Sequence, residues 1–367
     1  MVDSMMLLLT GKVFPVCPER FIGYNTMQGN TSERRTADMK KNIVVTCSAP
    51  AAVRTAVEEG LDGYADIFYL EDAAPEKRAE ILSSAHGLLS FFFNREIREE
   101  EYPLLENLEL FQTISTGLDY LPFDKMPKKP VIACNAGGWA PQIAEHTIAL
   151  LLALTRRIVP LHNDLRKGVF NRNGYSPMSL RGKILTVAGY GGIGRMTADL
   201  ARGFGMKIRA LNTSGRTDGD VNFMGTLKDL ETVLPDTDVL LLSLPLNRHT
   251  RGVIGKKELS LMKKNAILLN VARAPLVVEE DLYLHLKENP DFQVGLDVWW
   301  KEPTWGGGDF DLDFPFLELP NVVGSPHNSN RCERDLEVAA RAAAANAAAF
   351  FKGENFGGLI RREDYME

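Results

Sequence analysis

From Met39 onward, short apolar runs alternate with segments of helical period. Ile43–Cys47, Ile67–Leu70, Leu88–Phe91, Phe111–Ile114 and Val131–Cys134 read as five strands. Helices fit near Ala51–Glu59 and Glu76–Ser84, between the first three. A long apolar-periodic helix is predicted over Pro141–Lys167, its proline suiting a first turn. A second series of strands follows at Lys183–Ala188, Lys207–Leu211, Val239–Ser243, Ala266–Asn270, Val294–Val298 and Asn321–Val323. Gly192–Phe204, Thr226–Leu234, Lys256–Met262 and Glu279–Glu288 supply its helices, and the Ala-rich Arg334–Lys352 strongly favours a last one. Such alternation predicts parallel sheets with helices on both faces. The fold class is therefore α/β, with two doubly wound domains, the second inserted into the first.

Residues 1–38 break the pattern. Asn25–Asp38 is polar throughout and has no strand or helix period, so 1–38 reads as a poorly ordered extension and Met39 as the structural start. An ordered strand near Lys12–Val16 is the other reading. The expected division is 39–140 with 328–367 as one domain and 141–327 as the other.

At 367 residues the chain favours two domains. A net charge of −6, from 42 basic and 48 acidic residues, disfavours a dedicated nucleic-acid surface. The four cysteines are far apart with no CxxC spacing, which argues against a zinc ribbon or disulfide framework and fits a reducing cytoplasm. No run approaches the roughly 20 apolar residues of a membrane span, and Asp3 stands where a signal peptide would be basic. HxxxH, clustered metal ligands and GxSxG are missing from the sequence, so no metal or serine-nucleophile site is expected.

The most informative local motif is KILTVAGYGGIGRMTADLARGFG, residues 183–205. Gly189, Gly191 and Gly194 form GxGxxG between a strand and a helix. The first permits a tight turn, the second a close approach to pyrophosphate, the third close helix–strand packing. Free amides at the helix start then favour phosphates. The alternative is a merely structural glycine turn. The next strand leads into Asn212-Thr213-Ser214-Gly215-Arg216, with no acid before Asp218 to read a ribose 2′-hydroxyl.

With this turn, TDVLLLSLPLNRHTRGVIGKKELSLMKKNAILLNVARAPLVVEEDL (237–282), VGLDVWWKEP (294–303) and NVVGSPHNS (321–329) resemble the D-isomer-specific 2-hydroxyacid dehydrogenases. ISTGLDYL (114–121) and IAEHTIALLLALTRR (143–157) resemble that family's substrate-domain turn and interdomain helix. The resemblance runs from about Met39 to the C-terminus. It implies a Rossmann dinucleotide-binding domain inserted into a flavodoxin-like substrate domain, a homodimer, and small 2-keto or 2-hydroxy acid substrates of glyoxylate or hydroxypyruvate type.

By this resemblance Arg273 grips the substrate's carboxylate and keto oxygen, a task suited to a planar donor fork. Ala274 stands where the family usually has glycine. His327 matches the general acid–base and Glu302 the carboxylate that holds its imidazole. The other histidines are read as structural or surface residues, His146 as structural. Asp297 resembles the acid that orients the nicotinamide carboxamide, with a turn-capping role as its alternative. Leu244 and Pro245 resemble the wall against adenine. Gly192, Ile193, Val271 and Ala272 are further implied cofactor contacts. Phe93, Asn94, Ser115, Thr116 and Gly117 are candidates for binding substrate, because backbone amides at such turns suit a carboxylate. Phe91, Phe92, Trp139, Trp299 and Trp300 suggest an apolar cleft.

Without an acid after the second Rossmann strand, a 2′-phosphate is no longer repelled. Thr213, Ser214 and Arg216 could receive it, so NADP is the preferred cofactor, with NAD or dual use the alternatives; Asn212 can still bond a plain ribose. A second function, from another class, is a dinucleotide-sensing protein like the corepressors that share this fold. Formate dehydrogenase also shares it, but places Gln where Glu302 stands.

Overall fold

Short Val-, Ile- and Leu-rich runs without polar alternation are shed from water on both faces, which suits strands at the centre of a helix-covered sheet. The computed structural model of the protein describes residues 40–303 and 307–366. The Met39 start, the 1–38 extension and the Lys12–Val16 strand lie outside them. The first unit comprises β1 (Lys41–Val45), α1 (Ala51–Leu61), β2 (Ala65–Tyr69), α2 (Arg78–Ser84), β3 (Gly87–Ser90), α3 (Phe93–Glu96), β4 (Leu110–Thr113) and β5 (Val131–Ala133). Its sheet is parallel, in the order β2-β1-β3-β4-β5, the flavodoxin-like winding.

Next come α4 (Ala140–Thr155) and α5 (Ile158–Arg166), where one long helix was expected. Pro160 supplies the reason. In a continuous helix its ring would clash with the Arg156 carbonyl and it could donate no hydrogen bond. The chain instead turns through Arg157 at φ 54° and restarts, which puts Pro160 in the first turn of α5.

The second unit contains β6 (Ile184–Ala188), α6 (Gly192–Gly203), β7 (Lys207–Leu211), β8 (Phe223–Gly225), α7 (Leu230–Val233), β9 (Val239–Leu242), α8 (Lys256–Leu261), β10 (Ile267–Asn270), α9 (Glu279–Glu288), β11 (Gln293–Leu296) and β12 (Val322–Gly324). Its parallel sheet runs β12-β11-β10-β9-β6-β7-β8, the Rossmann order extended by one strand. The three-residue edge strand β8 was not foreseen, because Phe-Met-Gly carries too short a pattern to register. The chain then returns to the first unit through α10 (Asp335–Lys352). Buried alanines of α10, including Ala340 and Ala344, let it approach α1 closely. A Cβ on Gly60 would lie 2.7 Å from that of Ala344. One Rossmann domain is thus inserted into a flavodoxin-like one.

Candidate active site

The carboxyl ends of both sheets face one cleft, where doubly wound folds bind ligands. Into it project the segments after β3, β4 and β5 from one side, and those after β6, β9, β10, β11 and β12 from the other.

The glycine turn occupies the switch point between β6 and β9. Gly189 has φ +103°, and a Cβ there would sit 2.4 Å from the Ser243 carbonyl oxygen. A Cβ on Gly194 would come within 2.3 Å of the Gly189 carbonyl oxygen. At Gly191 a Cβ would meet nothing within 4 Å, so the backbone there is open to a ligand at the start of α6. Gly191, Gly192, Ile193, Leu244, Pro245, Val271 and Ala272 all line the cleft. This cradle fits a dinucleotide pyrophosphate.

After β7, the Asn212 side chain organises its own turn: Oδ1 accepts from the Ser214 and Gly215 amides, and Nδ2 donates to the Arg216 carbonyl. Asp218, the first acid, is held by Arg195 at 2.8 Å. Thr213, Ser214 and Arg216 are exposed.

Arg273 follows β10. Its Nε donates to Asp119 Oδ1 at 2.9 Å and its Nη1 to the Ala272 carbonyl at 2.9 Å. The guanidinium lies directly over Gly117. Ala274 enters a short 3₁₀ turn and is not among the positive-φ residues, so a side chain there leaves the backbone undisturbed. Ser115, Thr116, Gly117 and Asn94 also line the cleft.

Glu302 receives the Trp299 amide on Oε1 at 2.8 Å, while Oε2 lies 2.7 Å from His327 Nδ1. His327 adopts φ 50°, a conformation uncommon for a non-glycine residue. Its loop is pinned by Asp297, whose Oδ1 accepts from Ser325 Oγ at 2.6 Å and from the Asn328 amide. Oδ2 of Asp297 accepts from the Ser329 amide, and His146 Nε2 reaches Ser325 Oγ at 2.8 Å.

Two of the candidate residues have fully buried side chains. Asp297 is engaged by this loop, the turn-capping role given as its alternative, and its carboxylate positions the His327 loop. Phe93 is also fully buried, its ring 5.0 Å from that of Tyr102 and 5.1 Å from that of Phe111. The aromatic faces at the cleft after β3 are Phe91 and Phe92. There the carboxylate of Glu96 accepts the Phe91 and Phe92 amides and the Ser90 and Thr46 hydroxyls, and so fills the backbone nest with a group of the chain's own. Asp119, Tyr120, Arg95 and Tyr365 line the cleft without having been singled out. Asp119 lay within the quoted ISTGLDYL, but its partner is 154 residues away and leaves no local signal.

Among the described residues no cluster of His, Cys, Asp and Glu is placed to hold a metal ion, and no helix is long and apolar enough to cross a membrane.

A Rossmann glycine turn, an arginine and a carboxylate-held histidine on one wall of a two-domain cleft form the architecture of a dinucleotide-dependent dehydrogenase. Comparison with known proteins narrows the class. Residues 148–329 match the D-isomer specific 2-hydroxyacid dehydrogenase, NAD binding domain. A glyoxylate reductase of Thermococcus litoralis is 34% identical over 71% of this chain and 80% of its own length. A glycerate dehydrogenase of Methylorubrum extorquens is 31% identical over 76% and 87%, respectively. Among solved structures, an acyclic imino acid reductase in complex with NADPH and D-Arg is 25% identical and has a TM-score of 0.68, covering 87% of this chain and 100% of that one. The chain belongs to the D-isomer-specific 2-hydroxyacid dehydrogenase family.

Proposed function

We propose that the protein reversibly reduces a 2-keto acid to the D-2-hydroxy acid, with NADP preferred over NAD. The observation that carries this reading is the meeting of Arg273 and the His327–Glu302 pair at one cleft. Residues 39–140 with 328–367 serve as the substrate domain and 141–327 as the dinucleotide domain. The nicotinamide, when bound, supplies or accepts the hydride.

Arg273 directs its donor fork at the substrate carboxylate and keto oxygen, and the backbone over Ser115–Gly117 offers amides to the same carboxylate. His327 donates a proton from Nε2 to the keto oxygen as it becomes an alcohol, and takes the proton back in reverse. Glu302, bonded to Nδ1, fixes which nitrogen faces the substrate and opposes the imidazolium charge. Asp297, Ser325 and His146 hold the loop that sets this geometry.

Cofactor preference rests on the turn after β7. No acid stands between β7 and Asp218, Asp218 is tied to Arg195, and the exposed Arg216 would pair with a 2′-phosphate. The chain forms a homodimer. Helix α5 buries none of its residues, and with Phe170 beside it leaves Ile158, Val159 and Leu165 exposed. Light scattering of the purified protein, with Leu165→Asp as comparison, tests this assembly; a monomeric parent protein contradicts it.

The test of function is nicotinamide oxidation with a panel of 2-keto acids, with the product resolved by chiral chromatography. D-product formation that is lost in Arg273→Ala supports the reading. A protein that binds dinucleotide but reduces no keto acid would be a sensor on the same fold.

A further inference from the structure

The C-terminal segment crosses the mouth of the cleft, and nothing in the catalytic arrangement requires it there. It leaves α10 and docks on the edge of the first sheet. The Cys134 amide donates to the Gly358 carbonyl at 2.9 Å and the Ile360 amide to the Ile132 carbonyl at 3.0 Å. The approach is so close that a Cβ on Gly358, whose φ is +73°, would lie 2.1 Å from the Cys134 carbonyl oxygen. Arg362 then bonds the carbonyls of Met126 and Pro127 in the substrate domain. Asp364 reaches the other domain: its carbonyl accepts the Arg248 amide at 3.1 Å, and its Oδ1 stands 3.4 Å from His249 Nε2. Directly after Asp364, the Tyr365 ring stacks on Phe123 at 5.0 Å and lines the cleft together with Ile360.

Further rings of the first unit line the same cleft. Phe91 packs edge-on to Phe92 at 4.6 Å and to Trp139 at 6.1 Å, and Phe92 edge-on to Tyr120 at 5.9 Å. The Tyr120 hydroxyl is held by the Phe91 carbonyl at 2.8 Å, so this wall has a fixed shape. The exposed Arg95 lies over the Phe92 ring, 5.3 Å from its centroid, with its guanidinium at the rim.

A keto acid gripped by Arg273 at its carboxylate must present its side chain to these surfaces. Glyoxylate has none and would leave them against water. We propose that the preferred substrate is a 2-keto acid with a large apolar or aromatic side chain, packed between the Phe91–Phe92–Tyr120 wall and Tyr365, and that the C-terminal segment determines this specificity. The inference rests on the reading of the cleft as a 2-keto acid site. Apolar pockets discriminate by roughly 10- to 200-fold per methylene group. A benzyl or isobutyl side chain therefore gains at least about 10-fold in kcat/KM over glyoxylate.

The experiment measures kcat/KM of the full-length protein for phenylpyruvate, 4-methyl-2-oxopentanoate, glyoxylate and 2-oxoglutarate with saturating NADPH and, separately, NADH. Phenylpyruvate and 4-methyl-2-oxopentanoate should exceed glyoxylate by about 10-fold or more. Tyr365→Ala should lower the phenylpyruvate-to-glyoxylate ratio by about 5-fold or more, and Tyr365→Phe should restore most of it. Should Tyr365→Ala not fold, Phe92→Ala reads the same ratio. A preference for glyoxylate overturns the inference and leaves the proposed reaction standing. So does a preference for 2-oxoglutarate, which would assign Arg95 to a distal carboxylate, or an unchanged ratio in the folded variant. A protein that reduces none of the four overturns both.

Discussion

Gly117→Ala isolates the placement of Arg273 without altering any side chain of the proposed chemistry. Gly117 is not among the positive-φ glycines, so alanine can adopt its backbone without strain. The added Cβ would fall 1.7 Å from Arg273 Nη2 and 2.6 Å from its Cζ. Ordinary contact begins near 3.4 Å, so the guanidinium must retreat by roughly 1.7 Å, which disrupts its 2.9 Å bond to Asp119. A misplacement of about 1 Å at a reacting centre can cost about 100-fold, and kcat/KM for the keto acid should fall by about that factor. Stability should change by less than about 1 kcal/mol, because the methyl group enters the cleft and not the core. Steady-state kinetics, thermal unfolding and dinucleotide binding by fluorescence separate these effects. If kcat/KM stays within about 3-fold of the parent protein in a folded variant, Arg273 does not hold the substrate where the cleft places it.

Three further outcomes are expected. His327→Ala should reduce turnover by about 100-fold or more while dinucleotide affinity is largely kept, since the glycine turn lies on other strands; near-normal turnover would remove His327 from the chemistry. Arg216→Ala should raise the KM for NADPH by about 10-fold relative to NADH, as expected for one lost charge-assisted contact, and equal losses with both cofactors would contradict the phosphate assignment. Glu101 is buried, and hydrogen bonds from the Arg78 and Arg98 side chains hold its carboxyl down from 4.5 to about 2. Its contribution, up to about 3 kcal/mol, is complete above the unfolded value and is lost as pH falls from there through the folded one. Glu101→Gln should therefore destabilise the protein most near pH 7 and by less than half as much at about pH 3 by urea unfolding; an equal penalty at both would refute the ion-pair account.

The two sheets were legible because their strands carry a strong signal. Ile43–Val45, Val239–Leu242 and Ile267–Leu269 are all 0% exposed, and only such burial permits unbroken aliphatic runs. The break at Arg157 escaped because the apolar pattern continues through Ile158 and Val159, which face solvent at 55% and 40% exposure. Pro160 was the available clue. At the site, Arg273, Glu302 and His327 sit in local motifs that place them just after strands. That the side chains of Phe93 and Asp297 turn inward was not legible, because sequence does not say which way a residue at a strand end turns. Tyr365 could not be found that way, since its position depends on Gly358 docking against Cys134, more than two hundred residues earlier.

The central claim is that Arg273 and the His327–Glu302 pair perform a nicotinamide-linked reduction of a 2-keto acid. The most direct test is a single-turnover measurement with the purified protein, NADPH and phenylpyruvate, following nicotinamide absorbance and the chirality of the product. Stoichiometric formation of the D-2-hydroxy acid, abolished in Arg273→Ala and slowed about 100-fold or more in His327→Ala, is the predicted result. Tight dinucleotide binding with no hydride transfer to phenylpyruvate, glyoxylate or any other 2-keto acid would contradict it.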